Sequence, residues 1–137
     1  MRRGLQNLGV APDELGDATV TAQRALRQAL EDERGRWILD RHTDARNEWP
    51  LTLYTDRPLH YVIDRSFVDD DGVRWIVDYK TGEHGDDPDA FLDRERERYR
   101  EQLENYARIV YELEQRPIRL ALYFPLFPDW RVWDYTP

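Results

Sequence analysis

From Glu48 onward, apolar and polar positions follow the period of two that marks half-buried strands; before and after that block they follow the period of helix. LTLYT (51–55) alternates, LHYVIDRSFV (59–68) is β-branched and aromatic, and VRWIVDYK (73–80) is a third such run. Upstream, the first 36 residues read as helical and arginine-rich. Pro12-Asp13 is placed to open one helix and Asp17 to cap the next, since an Asp side chain accepts from the orphan N–H groups of a first turn. Ala18, Ala22, Ala25 and Ala29 then recur at helical spacing beside Leu26 and Leu30, a small-residue stripe, and Gly35 ends the segment.

Downstream of the loop EHGDDPDAF (83–91), the segment RERERYREQLENYARIVYELE carries Tyr99, Leu103, Tyr106, Val110 and Leu113 as one apolar stripe, which Pro117 closes. RLALYFPLF (119–127) reads as a buried strand and WRVWDY (130–135) as a last edge strand, with Pro125 and Pro128 limiting the pairing between them. The order is helices, three strands, a helix and one or two strands. That predicts an α/β fold, a mixed β-sheet flanked by helices with an N-terminal helical segment. At 137 residues the chain is expected to form a single domain, with a helical segment over 1–46 and a core over 47–137.

Asp69-Asp70-Asp71-Gly72 separates the second and third strands. A three-residue loop at 70–72, with Gly72 left-handed, makes a hairpin in which Val68 faces Arg74 and Asp64 lies opposite Asp78. A two-residue loop would put those carboxylates on opposite faces, so the candidate chemistry depends on the register.

Composition narrows the possibilities. Cysteine is absent, which excludes disulfides and thiolate metal sites and suits a reducing compartment. No stretch approaches the ~18 apolar residues of a membrane span, and the start lacks the apolar run of a signal peptide, so the expectation is a cytoplasmic chain with no membrane partner. A net charge of −8 with 35% charged residues argues against a module that holds nucleic acid by phosphate contacts alone. It is compatible with carboxylates that hold a divalent cation.

Two carboxylates opposed on a hairpin stand ~5 Å apart at Cβ and repel unless a cation sits between them, with ligand distances near ~2.1 Å for Mg2+. Asp64 and Asp78 are therefore candidate metal ligands. Lys80, two residues beyond Asp78, projects to the same face. It is the only lysine; the other 19 basic side chains are arginine. A compact ammonium can steer a water or steady a phosphate where a bulky guanidinium would serve poorly. The competing reading of these three residues is a structural ion pair at a sheet edge.

IDRSFVDDDGVRWIVDYKTG, followed by YREQLENYARI, resembles the nuclease domain of the RecB and AddA type, a branch of the PD-(D/E)xK superfamily at the C-terminus of UvrD-like helicases. The resemblance covers residues 48–125. It implies a restriction-endonuclease-like fold and a Mg2+- or Mn2+-dependent hydrolysis of DNA phosphodiesters in repair and recombination. It assigns Asp64 as the first metal-binding carboxylate, Asp78 and Lys80 as the D-x-K pair, and the Tyr79 backbone carbonyl as a further ligand. Gln102 and Tyr106 match the QxxxY motif that closes such a site beside DNA, and Glu48 matches an acidic residue that often precedes the first strand, which makes it a further candidate metal ligand.

The departure from the pattern is an upstream helix carrying a Gly-x-x-x-His-like motif, which these domains use to complete the metal shell. His42, His60 and His84 do not match it. The resemblance thus implies a C-terminal fragment of a larger helicase-nuclease, one ligand short and inactive alone if that histidine is essential. Its partners would be DNA, the helicase domains of the parent polypeptide and a second helicase-nuclease subunit. No GxxxxGK[ST] loop is present, so the helicase role is implied by the family only. Two alternatives stand beside this reading: a non-catalytic nucleic-acid-binding or docking module with the same fold, and an RNA-directed or structure-specific nuclease. The alternating charges of residues 93–101 favour intrahelical pairing over a DNA track.

Overall fold

The computed structural model describes residues 12–82 and 87–137, with side chains from residue 19 onward. Helix α1 (Pro12–Glu31) and helix α2 (Glu33–Leu39) precede a hairpin of β1 (Thr43–Tyr54) and β2 (Pro58–Val68), then β3 (Arg74–Tyr79). The long helix α3 (Pro88–Glu114) crosses to β4 (Ile118–Phe124), and β5 (Asp129–Asp134) ends the fold. The five strands form one sheet in the order β1-β2-β3-β4-β5. All pairs are antiparallel except β3 with β4, which is parallel because α3 carries the chain back to the starting end. The architecture is α/β, a mixed sheet with helices on both faces, as the element order predicts. Among the described residues no helix is long and apolar enough to cross a membrane.

Each face of the sheet has its own core. Ile76, Leu120 and Leu122 pack under α3 with Leu92, Leu103, Tyr106 and Val110. Trp75, Val77, Ala121 and Tyr123 pack on the other face with Ala29 of α1 and Ile38 of α2. β3 supplies both by alternation, and every residue from Arg74 to Asp78 is buried.

Several local expectations need correction. α1 runs unbroken through Asp17, so that residue is interior to the helix and caps nothing. Gly35 does not end the segment either. Asp32 caps a second helix by accepting from Gly35 N (3.1 Å), and Gly35 lies buried within it. A Cβ there would stand 2.2 Å from the Ala29 carbonyl oxygen and 2.6 Å from the Tyr123 hydroxyl, so close packing demands glycine. The stripe is narrower than predicted: Ala25 and Ala29 are buried, but Leu26 and Leu30 are exposed.

The first strand begins at Thr43, inside the segment assigned to the N-terminal helices, because the long β2 extends the pairing to Thr43↔Val68. Left-handed backbone at Asp44 and Glu48 (φ 48° at each) accompanies irregularities in this ladder. α3 starts at Pro88, ahead of the charged run, with Asp87 as its cap and Pro88 in the first turn. It ends at a left-handed Gln115, before Pro117 is reached. Leu113 leaves the stripe and is 65% exposed. Pro125 and Pro128 confine a four-residue turn and do not limit pairing, since β4 and β5 match over six positions from Arg119↔Asp134 to Phe124↔Asp129.

Arg74 organises one end of the sheet. Its side chain is fully buried and pairs with Asp44 at the start of β1 and Glu114 at the end of α3. Its guanidinium also donates to the Asp44 carbonyl (3.1 Å) and Ser66 Oγ (3.3 Å). Removing the cation leaves the exposed Asp44 with Arg46 and the partly buried Glu114 with Arg116, and takes a donor from the Asp44 carbonyl and Ser66 Oγ. Arg74→Met is therefore expected to lower the unfolding free energy by about 2 kcal/mol in urea titration, the cost of several lost charge-assisted hydrogen bonds at a partly exposed junction. A loss under ~1 kcal/mol would show that the network contributes little.

Candidate functional site

The site begins with the turn after β2. Asp69 Oδ1 accepts from the N–H groups of Asp71 (2.9 Å) and Val73 (3.0 Å), and Oδ2 accepts from Trp75 Nε1 (2.9 Å). Gly72 takes φ 80°, as the three-residue loop requires. The hairpin locks into the predicted register, Val68↔Arg74 through Arg65↔Val77. The next positions are Asp64 and Asp78, and there the strands part: β3 continues beside β4, β2 beside β1.

The fork leaves backbone groups to be satisfied. Lys80 N–H points to β4 and bonds the Tyr123 carbonyl (2.9 Å). Tyr79 N–H therefore points to β2, where the Asp64 carboxylate accepts it (2.9 Å). A strand residue sends its C=O to the same side as its N–H, so the Tyr79 carbonyl faces the fork as well. β2 also rotates here. Ile63 packs under α3 while Phe67 packs under α1 and α2, although strict alternation would put both odd positions on one face. The rotation falls at Asp64, opposite the left-handed Glu48.

Asp64 and Asp78 are close enough to perturb one another. Burial, then a hydrogen-bonding contact with the Asp78 carboxyl and its charge, push the Asp64 carboxyl up to about 7, against opposing effects of Tyr79 N–H and Lys80. Asp78 is buried. Its Oδ2 lies 2.7 Å from Lys80 Nζ, a charge contact, and has no aligned hydrogen-bond donor among the described residues. A crowded pair of carboxylates, one with an under-satisfied oxygen, beside an inward carbonyl is a set of hard oxygen donors. It fits Mg2+, which takes one or two carboxylates and keeps its other positions for water and phosphate.

The QxxxY residues lie on the α3 side. Gln102 Nε2 stands 2.6 Å from the Tyr106 hydroxyl in a side-chain hydrogen bond. Burial raises the Tyr106 phenol, opposed by the Gln102 hydrogen bond, and the charges of Asp78 and Asp64 raise it further while Lys80 lowers it. The motif therefore shares the electrostatic environment of the acid pair. Lys80 Nζ also lies 3.7 Å from the centre of the Tyr99 ring. On the opposite side, a cleft of about 650 Å3 opens between α1, α2 and the sheet, bordered by Asp64, Tyr79 and Glu48.

Glu48 is exposed at the edge of that cleft. Among the described residues no group of three or more His, Cys, Asp or Glu side chains stands close enough to hold an ion, so Glu48 is not gathered with Asp64 and Asp78. His42 stacks on Phe67 (4.0 Å between ring centres), and His60 meets Thr52 Oγ1 (3.1 Å); His84 lies outside the described residues. The arginines of α3 pair within the helix, Arg96 with Asp93, Arg98 with Glu95 and Arg100 with Glu97.

Two residues that pattern reading passed over support the site. Buried Arg65, next to Asp64, donates to the carbonyls of Ile38 (3.0 Å) and Asp40 (2.8 Å) at the end of α2 and to Asn47 Oδ1 (3.1 Å), clamping that helix beside the fork. Tyr99 is the other, visible in sequence only as a stripe position. Comparison with models of known protein families and with curated proteins finds no match for this chain.

The raised Asp64 carboxyl sets a pH dependence. Its folded value lies near 7 and its ordinary value is 3.8, so between these the folded chain binds the extra proton and stability falls as pH rises. In EDTA, the melting temperature is expected to drop from pH 5 to pH 8. Asp64→Asn, which keeps an acceptor for Tyr79 N–H, should flatten that profile and raise stability at pH 8. An unchanged slope in the variant would place the dependence elsewhere.

Proposed function

We propose that this chain is a nuclease domain of the RecB/AddA kind, a Mg2+- or Mn2+-dependent DNA hydrolase with a restriction-endonuclease-like fold, acting within an ATP-dependent helicase-nuclease in DNA repair and recombination. The observation that carries the reading is the cluster at the β2–β3 fork. Asp64, Asp78 and the Tyr79 backbone meet there beside Lys80, and Tyr106, hydrogen-bonded to Gln102, is close enough to feel the charges of the acid pair.

The divalent ion, when bound, neutralises phosphate charge and makes water a better nucleophile. Asp64 and Asp78 and the Tyr79 carbonyl would hold it. Lys80 is placed to donate to a phosphate oxygen as negative charge grows in the transition state, where a fixed cation counts most. Gln102 and Tyr106 would position the strand from the α3 side. With a net charge of −8, DNA delivery would fall to the helicase domains of the parent polypeptide or to a second helicase-nuclease subunit. A second reading, a non-catalytic nucleic-acid-binding or docking module, is favoured by one observation: no third ligating side chain joins the two carboxylates among the described residues.

Incubation of linear DNA with the chain in Mg2+ or Mn2+ separates the two, with product release expected for the enzyme. No cleavage, even within the parent polypeptide, would leave only the docking reading. Asp78→Ala should abolish metal binding in calorimetry, and an unchanged affinity would remove Asp78 from the ligand set. Lys80→Arg should fold normally yet lose about 100-fold in turnover, as expected for a misplaced transition-state donor. Full activity would mean that charge alone suffices at this position.

A further inference from the structure

Lys80 is the only lysine among 20 lysine and arginine side chains, and its ammonium has two partners, one on β3 and one on α3. Asp78 Oδ2 lies 2.7 Å away, and the face of Tyr99 lies 3.7 Å from Nζ at its centre. The Lys80 side chain is 22% exposed, so both contacts act with much of the water removed, where a cation over a ring face is held more strongly than at an open surface. Tyr99 cannot drift from this position. It is half-buried on α3 and packs against the core that includes Leu103 and Tyr106. Arg98 approaches the same ring at 5.1 Å, but that side chain is 70% exposed and also pairs with Glu95.

The shape of this seat distinguishes lysine from arginine. An ammonium is compact and roughly spherical, so its charge can stand close to a carboxylate and over a ring at once without aligning donors in one plane. A guanidinium is flat and meets a ring best by stacking parallel to it, which turns its donors to the rim and away from a carboxylate set against the ring face. Among the described residues no third partner meets the Lys80 ammonium.

We propose that Tyr99 is a positioning residue that seats Lys80 beside Asp78, makes this position selective for lysine and presents the ammonium to an anionic oxygen. That the oxygen belongs to a DNA phosphodiester rests on the nuclease reading; the seat itself does not.

Because Lys80 is the only lysine, labelling the chain with lysine carrying 13C at Cε and 15N at Nζ yields one reporter at the site. Protons over a ring face are shielded, so the Lys80 ε-methylene signal is expected upfield of free lysine in the wild type and in Tyr99→Phe. It should return to the free-lysine position in Tyr99→Leu. In the cleavage assay Tyr99→Phe should remain within about twofold of wild type. Tyr99→Leu should fall about tenfold in kcat, the loss expected from releasing a partly desolvated cation–π contact. Should Tyr99→Leu fail to fold by circular dichroism, Tyr99→Met gives a flexible replacement for the same comparison. A wild-type signal at the free-lysine position, or one unmoved by loss of the ring, overturns the seat. Full activity of the folded Leu or Met variant overturns the positioning role. If the wild type cleaves nothing, the nuclease reading fails while the magnetic resonance result still decides the seat.

Discussion

The arrangement at the fork depends on one constraint, the register of the β2–β3 hairpin. Side chains alternate across a strand, so a slip of one residue would exchange the faces of β3. Asp78 and Lys80 would enter the core beside Ala29 and Ile38, and Val77 would face α3. Asp69 opposes that slip from within the turn, with one oxygen holding two backbone N–H groups and the other the Trp75 indole. The same carboxylate that shapes the loop thus reaches two residues into β3 and pins the strand it leads to. A separate turn aspartate would fix the loop but not the strand.

Buried charge is distributed unevenly around this hairpin. At one end Arg74 is enclosed by acceptors from β1, β2 and α3, so its desolvation is offset by close partners. At the other end two carboxylates meet with one ammonium between them and the ring of Tyr99, and the balance is incomplete. The six residues of β3 carry both extremes, a saturated cation at residue 74 and an under-satisfied carboxylate at residue 78. Such a gradient along one strand is how a rigid scaffold carries a site that would be unstable by itself.

Much of this was legible in the sequence because it rests on local rules. The Asp-rich turn with Gly72 sets the hairpin length, the alternation of WIVDYK sets the faces, and the spacing of Tyr99, Leu103 and Tyr106 sets the helix side that meets the sheet. What escaped depends on partners distant in the chain. Thr43 joins a strand only because β2 is long enough to pair with it, and the left-handed Asp44 lies within the register shift that follows. Arg74 looks like any strand arginine until residues 44 and 114 are brought to it. Gly35 reads as a helix stop, but it is required by the close approach of Tyr123, 88 positions later in the chain. The start of α3 was locally visible after all, since Asp87-Pro88 is a cap followed by a first-turn proline.

The irregular first strand bears on assembly. β1 and β5 are the two edges of the sheet, where unpaired N–H and C=O groups invite another chain to add a strand. β1 carries left-handed kinks at Asp44 and Glu48, lacks an N–H at Pro50, and exposes all of its first six residues, three of them charged. β5 is short and punctuated by Asp129, Arg131 and Asp134. Neither edge offers the long, flat apolar template on which sheets grow. The sheet is thereby discouraged from open-ended polymerisation through its edges.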